Sequence, residues 1–168
     1  MPEKLRPLFF DTVTISNFAL ADQLKLLTRR YGRRVVITAE VRVEIEEGTA
    51  VGYAKLAAIN PLVEQDFFST TTLTHPERKI FQKLLGGLSS GEASCVVCAQ
   101  ARFGVVATDD RAARSCCTEH EIPFTGTIGI LKACCRDNTL SPTEADEILA
   151  TMVKNGFYAP IRRVTDIL

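Results

Sequence analysis

Leu8-Phe9-Phe10-Asp11-Thr12 is the stretch on which the fold turns. Three apolar residues after Pro7, closed by an acid and followed by a helical pattern, read as a short buried strand. A second run, Gly104-Val105-Val106-Ala107-Thr108, ends the same way in Asp109-Asp110. In an open α/β sheet, ligands bind just outside the carboxyl ends of the strands. Two acid-tipped strand ends far apart in sequence therefore point to one shared site. Carboxylates gathered together repel one another and lose hydration, so a cation is their natural partner.

Working outward, short apolar runs alternate with longer amphipathic ones. The 3.6-residue spacing of Ile15, Phe18, Ala19, Leu24 and Leu27 predicts a helix from Ile15 to about Thr28. Val35-Val36-Ile37 reads as a second strand, with Thr38 capping a helix that carries Val41, Glu44 and Ile45. Thr49–Ile59 reads as a further helix stopped by Asn60-Pro61. Asp66–Leu73 suits an edge strand because of its threonine run. His75–Leu85 reads as a helix with Pro76 in its first turn, closed by Gly86-Gly87. Ser89 or Ser90 opens the next helix, through Glu92 to Arg102. Then come a helix over Arg111–His120, a strand over Ile122–Phe124 and a helix over Ile128–Cys135. Ser141-Pro142-Thr143-Glu144 is a capping box opening a helix that ends near Asn155-Gly156. Alternation of this kind predicts a mainly parallel sheet covered on both faces, a three-layer α/β/α sandwich. No linker, repeat or low-complexity segment appears, so residues 1–168 read as one domain with 137–168 as its C-terminal helical segment.

The bulk properties exclude several classes. Lys+Arg and Asp+Glu are both 20, so the formal charge is zero and wholesale electrostatic coating of nucleic acid is not expected. No apolar stretch approaches the roughly 20 residues of a membrane span, and no signal-peptide pattern is evident, so a cytoplasmic protein is expected. Cys95, Cys98, Cys116, Cys117, Cys134 and Cys135 could suggest zinc or redox chemistry. Cys95-Val96-Val97-Cys98 lacks a second such pair, and His75 and His120 are the only histidines. Small buried residues in a reducing compartment is the favoured reading.

Each candidate acid also has a plain explanation. Glu92 would complement the dipole of its helix. Glu44, beside Glu40, Glu46 and Glu47, would belong to a solvated face. Asp109 or Asp110 would cap a helix. Asp11 is hardest to dismiss, because an aspartate directly after a buried strand needs a partner.

Taken in order, Leu8-Phe9-Phe10-Asp11-Thr12, Val41-Arg42-Val43-Glu44-Ile45, Ser90-Gly91-Glu92-Ala93 and Ala107-Thr108-Asp109-Asp110-Arg111 resemble the PIN-domain ribonucleases. The likeness is greatest to small prokaryotic members related to the VapC-type toxins. It continues through Ile122-Pro123-Phe124-Thr125-Gly126-Thr127-Ile128-Gly129 and Asn155-Gly156-Phe157-Tyr158. The resemblance implies a metal-dependent endoribonuclease in which Asp11, Glu44, Glu92 and Asp110 hold one or two Mg²⁺ or Mn²⁺ ions. Asp109 remains the alternative to Asp110, and Thr12 and Thr108 are supporting residues. It also implies a toxin–antitoxin role, with RNA as substrate, a small antitoxin protein as partner and a homodimer as assembly. Val13 departs from the small or polar residue common at its position. That departure supports the competing reading, a PIN-fold nucleic-acid- or protein-binding module with weak or no catalysis.

For the nucleic acid, Arg111 and Arg114 beside the acid pair are the candidate contacts. Arg29-Arg30-Tyr31-Gly32-Arg33-Arg34 is the densest basic cluster and offers a tyrosine for stacking, but it precedes strand two and belongs at the opposite sheet end. A response-regulator-like phosphoacceptor would want an acid pair after strand one and a Lys on the last strand. A haloacid-dehalogenase-like phosphatase would want Asp where Val13 stands. Neither pattern is present.

Overall fold

A computed structural model describes residues 5–168; residues 1–4 of the expected single domain lie outside the described residues. Five parallel strands form the central sheet in the order β3-β2-β1-β4-β5. They are β1 (Leu8–Phe10), β2 (Val35–Thr38), β3 (Ser69–Thr71), β4 (Val105–Ala107) and β5 (Phe124–Thr125). β1 and β2 are buried along their whole length, as strands covered on both faces of a parallel sheet are. Phe9 and Phe10 are almost fully enclosed; burying each side chain is worth about 1.5–3 kcal/mol. β3 stays half-exposed at the edge, where its threonines are tolerated. Helices cover both faces, giving the expected α/β/α sandwich.

The helices are α1 (Thr12–Leu20), α2 (Leu24–Arg30), α3 (Ala39–Ala50), α4 (Ile59–Glu64) and α5 (His75–Leu84). They continue with α6 (Ser90–Ala101), α7 (Arg111–Glu119), α8 (Thr127–Arg136) and α9 (Pro142–Lys154). Two sequence expectations fail here. The single helix over Ile15–Thr28 is broken into α1 and α2, because Asp22 takes φ 57°, a left-handed conformation no helix interior accepts. Both halves keep their apolar residues inward, so the periodicity survived the break. The helix over Thr49–Ile59 is instead the end of α3 and a 3-10 turn, Ala54–Ala58. Asn60-Pro61 does not stop a helix; it lies in the first turn of α4, where a missing N–H costs nothing.

The sheet order places a topological switch between β1 and β4, since the chain winds β1-β2-β3 to one side and β4-β5 to the other. Ligand crevices of open α/β sheets form at such switch points. α6 packs across β1, β4 and β2, and is buried over most of its length. A helix that feeds a parallel strand must start at the carboxyl edge of the sheet, so the N-terminus of α6 faces the switch point. Cys95 and Cys98 lie in its buried core segment, and all six cysteines are unpaired. Burial pushes the Cys98, Cys117 and Cys134 thiols up to about 12, which keeps them protonated. No described helix is long and apolar enough to cross a membrane.

Candidate active site

The register Phe10↔Ala107 sets Asp11 beside Thr108 at the switch point. Asp11 is 2% exposed. Its Oδ1 accepts from the Thr14 N–H at 2.8 Å, capping α1, and its Oδ2 accepts from the Thr108 hydroxyl. Burial pushes the carboxyl up to about 6, against the opposing pull of those hydrogen bonds. No cation is among the groups that set this value.

Glu44 lies on α3, reached from β2 after Thr38 caps the helix at the Val41 N–H, 3.2 Å. Its Oε1 accepts from the Thr12 hydroxyl at 3.0 Å, and the Gly91 backbone N–H also donates to its carboxylate. A β-carbon at Gly91 would stand 1.9 Å from that same Oε1, so the absence of a side chain there makes room for the carboxylate. Burial raises the Glu44 carboxyl above its ordinary value.

Glu92 sits in the first turn of α6. Its Oε1 accepts from the Ser89 N–H at 3.3 Å, and its own N–H donates to Ser89 Oγ at 3.2 Å, a reciprocal capping box. Burial first, and then the nearby Asp110 charge, raise its carboxyl.

The two aspartates after β4 diverge. Asp109 turns into structure: Oδ1 accepts from the Thr127 N–H at 2.9 Å and Oδ2 from the Thr127 hydroxyl at 2.5 Å. The Thr14 hydroxyl at 3.5 Å, Asn17 Nδ2 at 3.4 Å and Arg114 Nη2 at 3.5 Å also approach its carboxylate. Asp110 is exposed, caps α7 through the Ala113 N–H at 2.8 Å, and stands beside Glu92.

These side chains line one cleft of about 400 Å³, formed by Asp11, Thr12, Val13, Asn17, Glu44, Ser89, Glu92, Asp109, Asp110 and the segment Gly156-Phe157-Tyr158. All five carboxylates named from the sequence meet there. Thr108 lies beneath, holding Asp11. Val13 is 63% exposed, so its side chain stands largely in solvent.

The proposed nucleic-acid contacts fare differently. Neither Arg111 nor Arg114 lines the cleft. Arg114 is drawn into the structure: Nε donates to the Thr108 carbonyl at 2.9 Å, and the guanidinium lies 5.2 Å from the Phe124 ring centre. Arg111 is exposed at the start of α7, next to Asp110. The stacking role considered for Tyr31 is overturned, because its ring is buried, with the Arg30 and Arg34 guanidinium groups 4.6 and 5.7 Å from its centre.

Sequence reasoning missed Asn17, Ser89 and the site position of Phe157-Tyr158. Asn17 carried a signal, since asparagine is a poor residue for a helix interior. Its Nδ2 donates to Thr127 Oγ1 at 3.1 Å and so ties α1 to α8.

The donor set suits a hard divalent cation. It consists of carboxylate and hydroxyl oxygens, the ligand type that Mg²⁺ and Mn²⁺ prefer. Asp11, Glu44 and Glu92 form no salt bridge among the described residues. Nor do three of the acids converge into a ready-made cage among the described residues. Glu92 and Asp110 instead spend one oxygen each on helix caps.

No curated protein matches this chain at a significant level. A family model described as PIN domain matches residues 8–168, which include the whole cleft. On that match the chain belongs to the PIN-domain family.

Proposed function

We propose that this protein is a Mg²⁺- or Mn²⁺-dependent endoribonuclease whose active site is the cleft at the carboxyl ends of β1 and β4. PIN domains are generally nucleases that use divalent metal ions. The observation that carries the reading to this chain is a group of acids among which Asp11, Glu44 and Glu92 have no salt-bridged base among the described residues. Such a group is costly on its own account and becomes favourable when a cation enters.

In this reading Asp11, Glu44, Glu92 and Asp110 hold the ion. A bound divalent ion lowers the pKa of water and stabilises charge on a phosphoryl oxygen. The chain's own residues do the positioning. Thr108 and the Thr14 N–H fix the Asp11 carboxylate, while Thr12 and Gly91 fix that of Glu44. Asp109, already satisfied by Thr127 and Arg114, acts as a brace between α1, α8 and the β4 end. Arg111 is the cation best placed to meet the strand outside the cleft. RNA as the substrate, the toxin role, the antitoxin partner, the dimer and the cytoplasmic location draw on family resemblance alone.

The test is cleavage of single-stranded RNA with Mg²⁺ or Mn²⁺ by wild type, Asp11→Asn and Asp110→Asn. Cleavage by wild type alone is expected. Isothermal titration with Mn²⁺ separates this reading from a binding module without catalysis. Absence of Mn²⁺ binding by the wild-type protein would overturn the nuclease assignment.

A further inference from the structure

Two side chains of the cleft have no place in the acid chemistry. Val13, in the first turn of α1, is 63% exposed, and Tyr158, just past α9, is 93% exposed. Single exposed apolar residues are ordinary on protein surfaces. These two, however, line the same cleft as Asp11, Glu44, Glu92 and Asp110.

The backbone presenting Tyr158 is firmly held. Asn155 Nδ2 donates to the Leu20 carbonyl at the end of α1, 2.9 Å, tying the end of α9 to the helix that bears Val13. The Gly156 and Phe157 N–H groups donate to the Val153 and Met152 carbonyls, each at 3.0 Å. Gly156 takes φ +107°, a conformation open to glycine, and so turns the chain sharply there. Phe157 packs against the core, and the next ring stands in water.

The charge of the cleft then decides what this ring can do. The lining contains aspartates and glutamates but no lysine or arginine, and the whole chain has zero formal charge. The lining side chains themselves therefore offer a polyanion no positive charge, and its phosphates are left to the bound ion of the nuclease reading and to Arg111 outside the cleft. The remaining attractive surface is apolar and aromatic. Every nucleobase has a π-face, and an exposed aromatic ring is the usual platform for unpaired bases.

We infer that Tyr158, with Val13 as an apolar neighbour, stacks an unpaired nucleobase of the strand whose phosphate reaches the acids, an inference that rests on the nuclease reading above. The site then selects single-stranded substrate, because a base in a duplex is already stacked on its neighbours. Val13 thereby has a use that a small polar residue would not serve.

The chain contains no tryptophan, so Tyr158→Trp installs a single reporter on the platform. Tyr158→Ala should raise KM for oligouridylate and oligoadenylate in Mn²⁺ roughly tenfold, with kcat changed far less. Tyr158→Phe should restore the wild-type KM, since the ring face does the work. Tryptophan emission of Tyr158→Trp in Mn²⁺, read immediately on mixing and before cleavage proceeds, should be quenched by either oligonucleotide and not by an abasic ribose-phosphate oligomer of the same length. An unchanged KM in Tyr158→Ala, or equal quenching by the abasic oligomer, overturns the stacking role while leaving the nuclease intact. Wild-type protein that neither binds nor cleaves RNA overturns the nuclease reading and this inference with it.

Discussion

Thr108 and Asp11 lie 97 positions apart, yet the hydroxyl of one donates to the Oδ2 of the other. The same Thr108 oxygen accepts from the Asp110 N–H at 3.1 Å. One buried hydroxyl thus links the acid at the end of β1 to the loop that carries the acid after β4. The link follows from strand register, because residues that succeed the paired Phe10 and Ala107 fall side by side.

Thr108→Val keeps the shape of that side chain and removes its hydrogen bonds. A buried carboxylate oxygen left without a donor costs about 1–3 kcal/mol. The variant should melt several degrees lower than wild type and bind Mn²⁺ more weakly. Thr108→Ser should recover most of both losses. Thermal melts with and without Mn²⁺ measure this, and equal melting of Thr108→Val and wild type would remove the hydroxyl from the account.

Gly91→Ala separates function from stability. Its β-carbon would meet Glu44 Oε1 at 1.9 Å and Thr12 Oγ1 at 3.1 Å. The first contact is the far end of a flexible side chain, so Glu44 swings away and the fold adjusts. Gly91 lies within α6, where alanine is favoured over glycine by up to about 1 kcal/mol. The variant should therefore melt within a few degrees of wild type while losing on the order of tenfold or more in Mn²⁺ affinity. Retained affinity would show that Glu44 takes no part in binding the ion.

Much of this arrangement was legible in the chain because strand ends are read from local pattern. Apolar runs closed by an acid located Asp11 and the Asp109-Asp110 doublet without separating its two members, and parallel alternation brought them to one sheet edge. Glu44 and Glu92 were readable as acids in helices, yet their convergence needed the crossover geometry. The start of α6 reaches the site only because the helix must return the chain to the opposite edge before β4. The break at Asp22 left no comparable mark, since a single left-handed residue does not disturb the spacing of Phe18 and Leu24 on the core face. Tyr158 is marked in the sequence only by the family resemblance. Its place in the cleft depends on contacts between α9 and α1, which join segments over 100 residues apart and have no local signature.

Away from the cleft, Arg102 holds Glu77 through Nε at 2.9 Å and Nη2 at 2.8 Å. Glu77 is 5% exposed, and hydrogen bonding from Arg102 holds its carboxyl below the ordinary value of 4.5. A depressed carboxylate adds stability above its unfolded pKa and loses it as pH falls through the folded value. Glu77→Gln should cost about 1–3 kcal/mol at pH 7, because it removes the charge that faces a partly exposed guanidinium while Thr71 and Thr72 still accept from it. The gap between the two proteins should begin to narrow as pH falls below about 4.5 and keep narrowing toward the lower folded value. Melting temperatures across pH 3.5–7 test this, and a gap that stays constant would rule out the Arg102 pairing as its source.

The doublet Asp109-Asp110 gives the sharpest contrast. Asp109 accepts from Thr127 twice and faces Arg114, so Asp109→Asn sets an amide N–H against a donor or a cation. That change should lower stability by about 1–3 kcal/mol. Asp110 spends one oxygen on the α7 cap and is otherwise exposed beside Glu92. Asparagine caps a helix about as well as aspartate, so Asp110→Asn should change stability by no more than a few tenths of a kcal/mol. Removing a metal ligand should cost at least the roughly 10–100-fold seen when a ligand's outer partner is lost. Asp110→Asn should therefore melt like wild type and lose RNA cleavage, while Asp109→Asn should melt lower and keep measurable cleavage below its transition. The reverse pattern, with Asp109→Asn stable and inactive and Asp110→Asn active, would transfer the ligand role to Asp109.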